Sequence, residues 1–189
     1  MVDGPRIARA VREILLAIGE DPDRDGLVET PERVAEAYAQ LFSGLSEDPA
    51  HHLEAAFEEE TRDLILIRDL PMASLCEHHL LPFTGKTHVG YVPNGRVAGF
   101  SELARVVEGY ARRPQLQERL TAQVADAVYG ELGASAAIVV VEATHTCMTM
   151  RGTQAIGSVA VTSAARGVFE EDVVRRAEVL ALISRSDKA

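Results

Sequence analysis

Tryptophan is absent from this 189-residue chain, cysteine and lysine each occur twice, and aromatic residues make up only 5% of it. No apolar run approaches the roughly 20 residues needed to span a bilayer. Met1–Gly19 has no apolar core of signal-peptide type, because Arg6, Arg9 and Arg12 interrupt it at helical spacing. A cytoplasmic location is therefore expected. Two cysteines are too few for a disulfide framework, and in a reducing compartment they read as thiols or metal ligands. Basic residues are also short, 19 against 29 acidic, for a formal charge of −10. That balance excludes non-specific nucleic-acid binding and attraction to an anionic membrane surface, both of which need a basic face. It leaves room for a small polyanionic substrate held by a local group of arginines. Since only Lys86 and Lys188 are lysine, arginine-rich stretches reflect composition first.

The 47% apolar content is enough for a core. Ile7, Val11, Ile14, Leu15 and Ile18 form the stripe of an amphipathic helix. After a polar turn, Thr30-Pro31 reads as N-cap and first position of a second helix, with Val34, Ala37, Tyr38, Leu41 and Phe42 on one face and Gly44 at its end. Residues 1–62 are expected to form a helical appendage, with Pro49–Glu60 a short acidic helix or loop. Residues 63–189 are expected to form the main domain. Leu64–Leu70, Met72–Leu75, Phe83–Val92, Ala136–Val141 and Ser158–Thr162 read as strands, and Pro93-Asn94-Gly95 as a turn. Ser101–Tyr110, Pro114–Leu132 and Glu170–Ile183 read as helices. Strand pairs joined by short turns, with helices grouped between them, imply an α+β antiparallel sheet rather than a doubly wound fold.

Both cysteines fall beside histidines. Cys76 and His79 bracket two residues just past a strand, and Cys147 follows another strand. Two thiolates and an imidazole suit tetrahedral zinc, and three protein ligands leave a fourth position open, as in a catalytic site. Spacing alone leaves a second reading, two buried thiols and surface histidines. His145 adds to the first, because in an extended segment His145 and Cys147 share a face. His78 adjoins the proposed ligand His79. Zinc lowers the pKa of water toward about 7, and imidazoles exchange protons near neutrality, so the group is suited to hydrolysis.

Several motifs in order resemble the GTP cyclohydrolase I family over roughly residues 26–169: Thr30-Pro31-Glu32-Arg33, Cys76-Glu77-His78-His79, Gly99-Phe100-Ser101 with Leu103-Ala104-Arg105, the run from Arg113 to Thr121, and Glu142 through Gly152. The resemblance implies a tunnelling fold, a four-stranded antiparallel sheet with helices on one face. It implies subunits joined into rings, two pentamers stacked, with active sites between subunits. The implied reaction takes GTP and water to formate and 7,8-dihydroneopterin triphosphate in folate or pterin synthesis. Cys76, His79 and Cys147 would hold Zn²⁺. His78 would protonate the opening imidazole ring, and His145 and Ser101 would serve the later ribose rearrangement and ring closure. Gln117 and Glu118 would read the guanine edge, and Arg33, Arg105 and Arg151 the phosphates.

Each residue also has an ordinary reading. Ser101 suits a helix N-cap, Glu118 a solvated helix face, Arg105 an ion pair with Glu108, and Arg33 one with Glu29 or Glu36. Glu36 and Glu102 stand where the family usually carries lysine, and Ala155 and Val159 where it is often basic. These departures leave the zinc chemistry intact and bear on phosphate recognition. Two other functions stand beside the first: a cyclohydrolase acting on a less phosphorylated or modified guanine compound, which these departures would favour, and, of a different class, a non-catalytic zinc-bound ring protein that binds purines.

Overall fold

The structure is a computed structural model that describes residues 2–152 and 154–184. Two helices open the chain, α1 (Gly4–Ala17) and α2 (Thr30–Leu41). The Asp3 side chain accepts the Arg6 N–H at 3.0 Å and caps α1. At α2 the expected N-cap, Thr30, is instead the first helical residue; Glu29 precedes it in a helical conformation without a side-chain cap bond. Pro31 still marks the start, since its missing N–H costs nothing in the first turn. The two helices pack mainly on each other, and Ile14 of α1 and Ile18 just past its end are left 58% and 69% exposed. The 3₁₀ segment Pro49–Ala55 then ties the appendage to the body, with Leu53 fully buried in the main core.

A short ribbon pairs β1 (Phe57–Glu58) with β4 (Arg96–Val97). The main sheet contains β2 (Ile65–Cys76), β3 (Pro82–Val92), β5 (Pro114–Gln115), β6 (Ala136–His145) and β7 (Ala160–Gly167) in the order β5-β2-β3-β6-β7. Four long antiparallel strands were expected; β5 adds a fifth, two residues paired parallel to Leu75 and Cys76. The two strands expected over 64–75 are one strand with a bulge. The register shifts between Ile67 and Leu70, and Asp69 takes a positive φ of 62° there. Its N–H is held by His88 Nδ1 at 3.2 Å. Bulges of this kind are common on edge strands, and β2 has an open edge over residues 65–74 because β5 covers only its end.

Helices α3 (Phe100–Ala111) and α4 (Gln117–Leu132) cover one face of the sheet. Leu103, Val106 and Val107 of α3 and Leu120, Val124 and Val128 of α4 meet Val89, Tyr91, Val139 and Val141 of the strands, all nearly or fully buried. Each such side chain contributes roughly 1.5–3 kcal/mol, so this layer dominates the stability of the body. Gly133, in the left-handed conformation, ends α4. The four-residue helix α5 (Thr146–Thr149) follows β6 directly, and α6 (Val168–Glu171) and α7 (Val173–Ser184) close the described chain. The expected single closing helix breaks at Asp172, whose carboxylate accepts the N–H groups of Val174 and Arg175 and starts α7 anew.

Helices were expected on one face only. Val179 and Ile183 of α7 pack against Ile138 and Val140 on the other. The unbroken apolar run of β6 is the reason: a strand buried on both sides needs cover on both. At Gly85 of β3 the approach to β6 is so close that a Cβ would overlap the Glu142 carbonyl.

Candidate active site

The sheet brings the ends of three strands together. Phe83 lies opposite His145 in the β3–β6 register. Pro82 lies opposite Leu75 in the β2–β3 register. Cys76 at the end of β2 and the segment after β6 therefore meet on either side of the start of β3. Between β2 and β3 the chain turns tightly: the Cys76 N–H donates to Leu81 O at 2.9 Å, the Leu80 N–H donates to Cys76 O at 2.8 Å, and Leu80 adopts a φ of 53°. The turn is fastened to α4 by Glu77, which receives both Arg119 guanidinium nitrogens at 2.5 and 3.1 Å, and to β5 by the Glu77 N–H on Gln115 O at 3.0 Å. The Arg119 hydrogen bond holds the Glu77 carboxyl below its usual range.

One ligand atom each from Cys76, His79 and Cys147 lies within 4.8 Å of the others. That spacing accommodates one ion at bonds of about 2.0–2.3 Å. Burial, and then the adjacent Cys76, push the Cys147 thiol up, and an ion between the two sulfurs removes that cost. Two sulfurs and a nitrogen are the donor set that zinc prefers, so the residues fit the metal.

His145 and Cys147 were expected to share one face of an extended segment. They sit instead across a strand–helix junction, His145 ending β6 and Cys147 on α5. Thr146 fixes that junction by donating its hydroxyl to Pro82 O at 2.6 Å. Both side chains still reach a common cleft of about 240 Å³, lined also by Cys76, His78, His79 and Glu118. The His145 ring stacks on Phe83 with centroids 4.5 Å apart and planes 3° apart. Burial pushes its pKa down, with Glu118 acting in the opposite sense.

Glu118, on the first turn of α4, is exposed to the cleft. Gln117 borders the same cleft but is only 3% exposed, and its amide is engaged by Val141 O, Ala160 O, Thr162 Oγ1 and His145. Arg151 lies close enough to Cys147 to lower the thiol pKa. Ser101, Arg105 and Arg33 are not among the residues lining the cleft. The Ser101 hydroxyl donates to Glu102 at 2.8 Å, Arg105 lies 3.9 Å from Glu102 rather than pairing with Glu108, and Arg33 pairs with Glu29. Phe83, Thr162 and the Glu77–Arg119 pair were missed by sequence reasoning. The alternation in residues 83–92 points Phe83 inward, but nothing local shows that a histidine would stack on it.

A family model described as GTP cyclohydrolase I matches residues 7–184. Curated relatives named GTP cyclohydrolase 1 are similar over nearly the whole chain. The one from Rhodopirellula baltica is 59% identical over 185 residues, 98% of this chain and 81% of its own. Its counterpart from Carboxydothermus hydrogenoformans is 58% identical over 184 residues, 97% of this chain and 96% of its own. That from Thermobifida fusca is 59% identical over 184 residues, 96% and 89% respectively.

Three ligands cannot spare one. Cys147→Ser is expected to weaken zinc binding by at least about tenfold. Elemental analysis after dialysis checks this, and stoichiometric metal retained in the variant would refute the ligand set.

Proposed function

Because this chain belongs to the GTP cyclohydrolase I family, we propose that it converts GTP and water to formate and 7,8-dihydroneopterin triphosphate, with a zinc ion held by Cys76, His79 and Cys147. The enzyme is a hydrolase acting on a cyclic amidine C–N bond. The observation that carries the reading is the meeting of that thiolate–imidazole triad with His78, His145 and Glu118 in one cleft. Zinc, when bound, supplies the Lewis acidity that makes water nucleophilic near neutral pH.

The side chains divide the remaining work. Glu118 accepts from two adjacent N–H groups on the guanine edge, which a carboxylate can do with both oxygens. Water adds at C8, and His78 gives a proton to the ring nitrogen as the C8–N bond breaks. A second addition of water at the formyl carbon releases formate. His145, assisted by Ser101, then moves protons during the ribose rearrangement and the ring closure, in which the freed amine condenses with the ribose-derived carbonyl and expels one water, so that one water is consumed overall. Ultraviolet absorbance with GTP tests the whole, since a dihydropterin chromophore appears only when the ring is rebuilt. His145→Asn is expected to release formate without the chromophore, and His78→Asn to slow ring opening, each by about 10²–10⁴-fold. Arrest of both at the same intermediate would end this division of roles.

The working form is a homo-oligomer, two stacked pentameric rings in a tunnelling fold, with the site completed between chains. The cleft of one chain, about 240 Å³, falls short of the ~300–1,000 Å³ usual for ligand pockets, and Ser101, Arg105 and Arg33 do not line it. β2 and β7 both present open edges among the described residues, and Ile156 and Val159 before β7 and Val161 within it are exposed. Edges of this kind are ordinarily covered, and Arg33, Arg105 and Ser101 from a neighbour would reach the phosphates and ribose. Light scattering at micromolar concentration is expected to give ten times the chain mass; a monomer would refute the assembly.

One observation favours a variant of this function with fewer substrate phosphates. The Glu102 carboxylate accepts the Ser101 hydroxyl at 2.8 Å at the start of α3, folded against Gly99. An anion of the chain's own thus occupies the helix end that would attract a phosphate, and Glu36 is a second acid where the family usually has lysine. The kcat/KM values for GTP, GDP, GMP and guanosine are then expected to be similar, and Glu36→Lys with Glu102→Lys to raise that for GTP at least about tenfold, 1.4 kcal/mol. Strong preference for GTP in the unmodified enzyme, with no gain from the lysines, would leave the first reading alone.

A further inference from the structure

Gln117 is the first residue of α4 and almost fully buried. Its amide nitrogen lies 3.0 Å from Val141 O, 3.0 Å from Ala160 O and 3.2 Å from Thr162 Oγ1, and its oxygen lies 2.7 Å from His145 Nε2. Which end of an amide is nitrogen is ordinarily a matter of assignment. Here two peptide carbonyls decide it. They have no hydrogen to give, so the group facing them is the NH₂; the reverse orientation would press the amide oxygen against both. The threonines agree. The Thr121 hydroxyl donates to Gln117 O at 2.7 Å, so its oxygen receives the Thr162 hydroxyl at 2.6 Å. Thr162 Oγ1 is then left as an acceptor for the Gln117 NH₂. Every hydrogen bond around the amide runs in one sense.

The oxygen end therefore faces His145, and the imidazole nitrogen it meets carries the hydrogen. We infer that Gln117 is a positioning residue that locks His145 in its Nε2–H tautomer, so that Nδ1 is the atom through which His145 exchanges protons with substrate. Phe83, fully buried, holds the ring plane by stacking. Nδ1 has no protein hydrogen bond among the described residues and is not one of their buried unpaired atoms, so it is open to the cleft that His145 lines. The anchor serves both protonation states. Nε2–H donates to the amide oxygen whether the ring is neutral or charged, so a proton arriving at or leaving Nδ1 does not break it. A carboxylate at position 117 would instead favour the charged ring and set an anion against two carbonyls.

The catalytic meaning of this arrangement rests on the proposed role of His145; the tautomer does not. The test is a solid-state ¹⁵N spectrum of the zinc-loaded protein labelled at its histidine nitrogens, with His145→Asn used to identify the ring. Neutral His145 is expected to show a pyrrole-type Nε2 and a pyridine-type Nδ1. The opposite pattern would overturn the inference, and this measurement on the unmodified enzyme needs no variant of Gln117. Gln117→Met, close in volume but without donors or a carbonyl, is expected to retain zinc, abolish the tautomer preference and slow pterin formation at least about tenfold, short of the ~10²–10⁴-fold of a lost acid–base group. In a His145→Asn background the same change is expected to cost less than about twofold, since residues acting through one another are non-additive. Full additivity would overturn the link. If Nε2–H is observed while His145→Asn still forms pterin at full rate, the tautomer assignment stands and the catalytic role of His145 falls.

Discussion

The pairing of β3 with β6 is the constraint on which the site depends. It sets Phe83 opposite His145 and Gly85 opposite Ala143. Side chains alternate along a strand, so a slip of one residue would turn His145 to the other face and carry Cys147 away from Cys76. The apolar run of β6 prevents the slip. Val139 and Val141 are buried beneath α3 and α4, while Ile138 and Val140 are buried beneath α7. Burial on both faces would normally weaken register, because either face would serve. The two layers differ in shape and in the helices that fill them, and Tyr91, Leu103 and Val124 on one side have no counterparts on the other.

Around that pairing the site is assembled from short-range devices. The turn after β2 uses a left-handed Leu80 and is fastened to α4 through Glu77 and Arg119. The turn into α5 uses Thr146 on Pro82. The start of α4 is fixed by Gln117, whose amide ties the helix to β6 and β7 at once. The Cys76, His79 and Cys147 group, the two neighbouring histidines and the Glu118 carboxylate therefore come from segments that are each held independently.

Much of this was legible in the sequence where a pattern had enough residues to repeat. The long strands and the helices over 100–111 and 117–132 carry periodicity, and the triad was visible because the two cysteines are the only ones present. What failed to show was decided by few residues or by distant ones. Two residues of β5 carry no period, and a bulge at Asp69 imitates a break between strands. Asp172 restarts a helix that composition alone would continue. The shared placement of His145 and Cys147 was expected from strand alternation and arises instead from a strand meeting a helix. Gln117 is the sharpest case. Beside Glu118 in a polar stretch it reads as a partner for substrate, and only the arrival of β6 and β7 overhead turns it inward.

Gly85 lies far from any reacting atom in chemical terms, yet it sits two residues along from the Phe83–His145 pair. There the strands touch so closely that no side chain fits beneath the Glu142 carbonyl. A methyl group at that point would act as a wedge, prying β6 from β3 with its leverage directed toward the strand end where His145 stands. Displacements near 1 Å in a catalytic group are enough to cost about 10²-fold in rate. The bare backbone at position 85 is therefore a mechanical tolerance of the active site, and the empty space of a missing side chain sets how accurately the histidine is aimed.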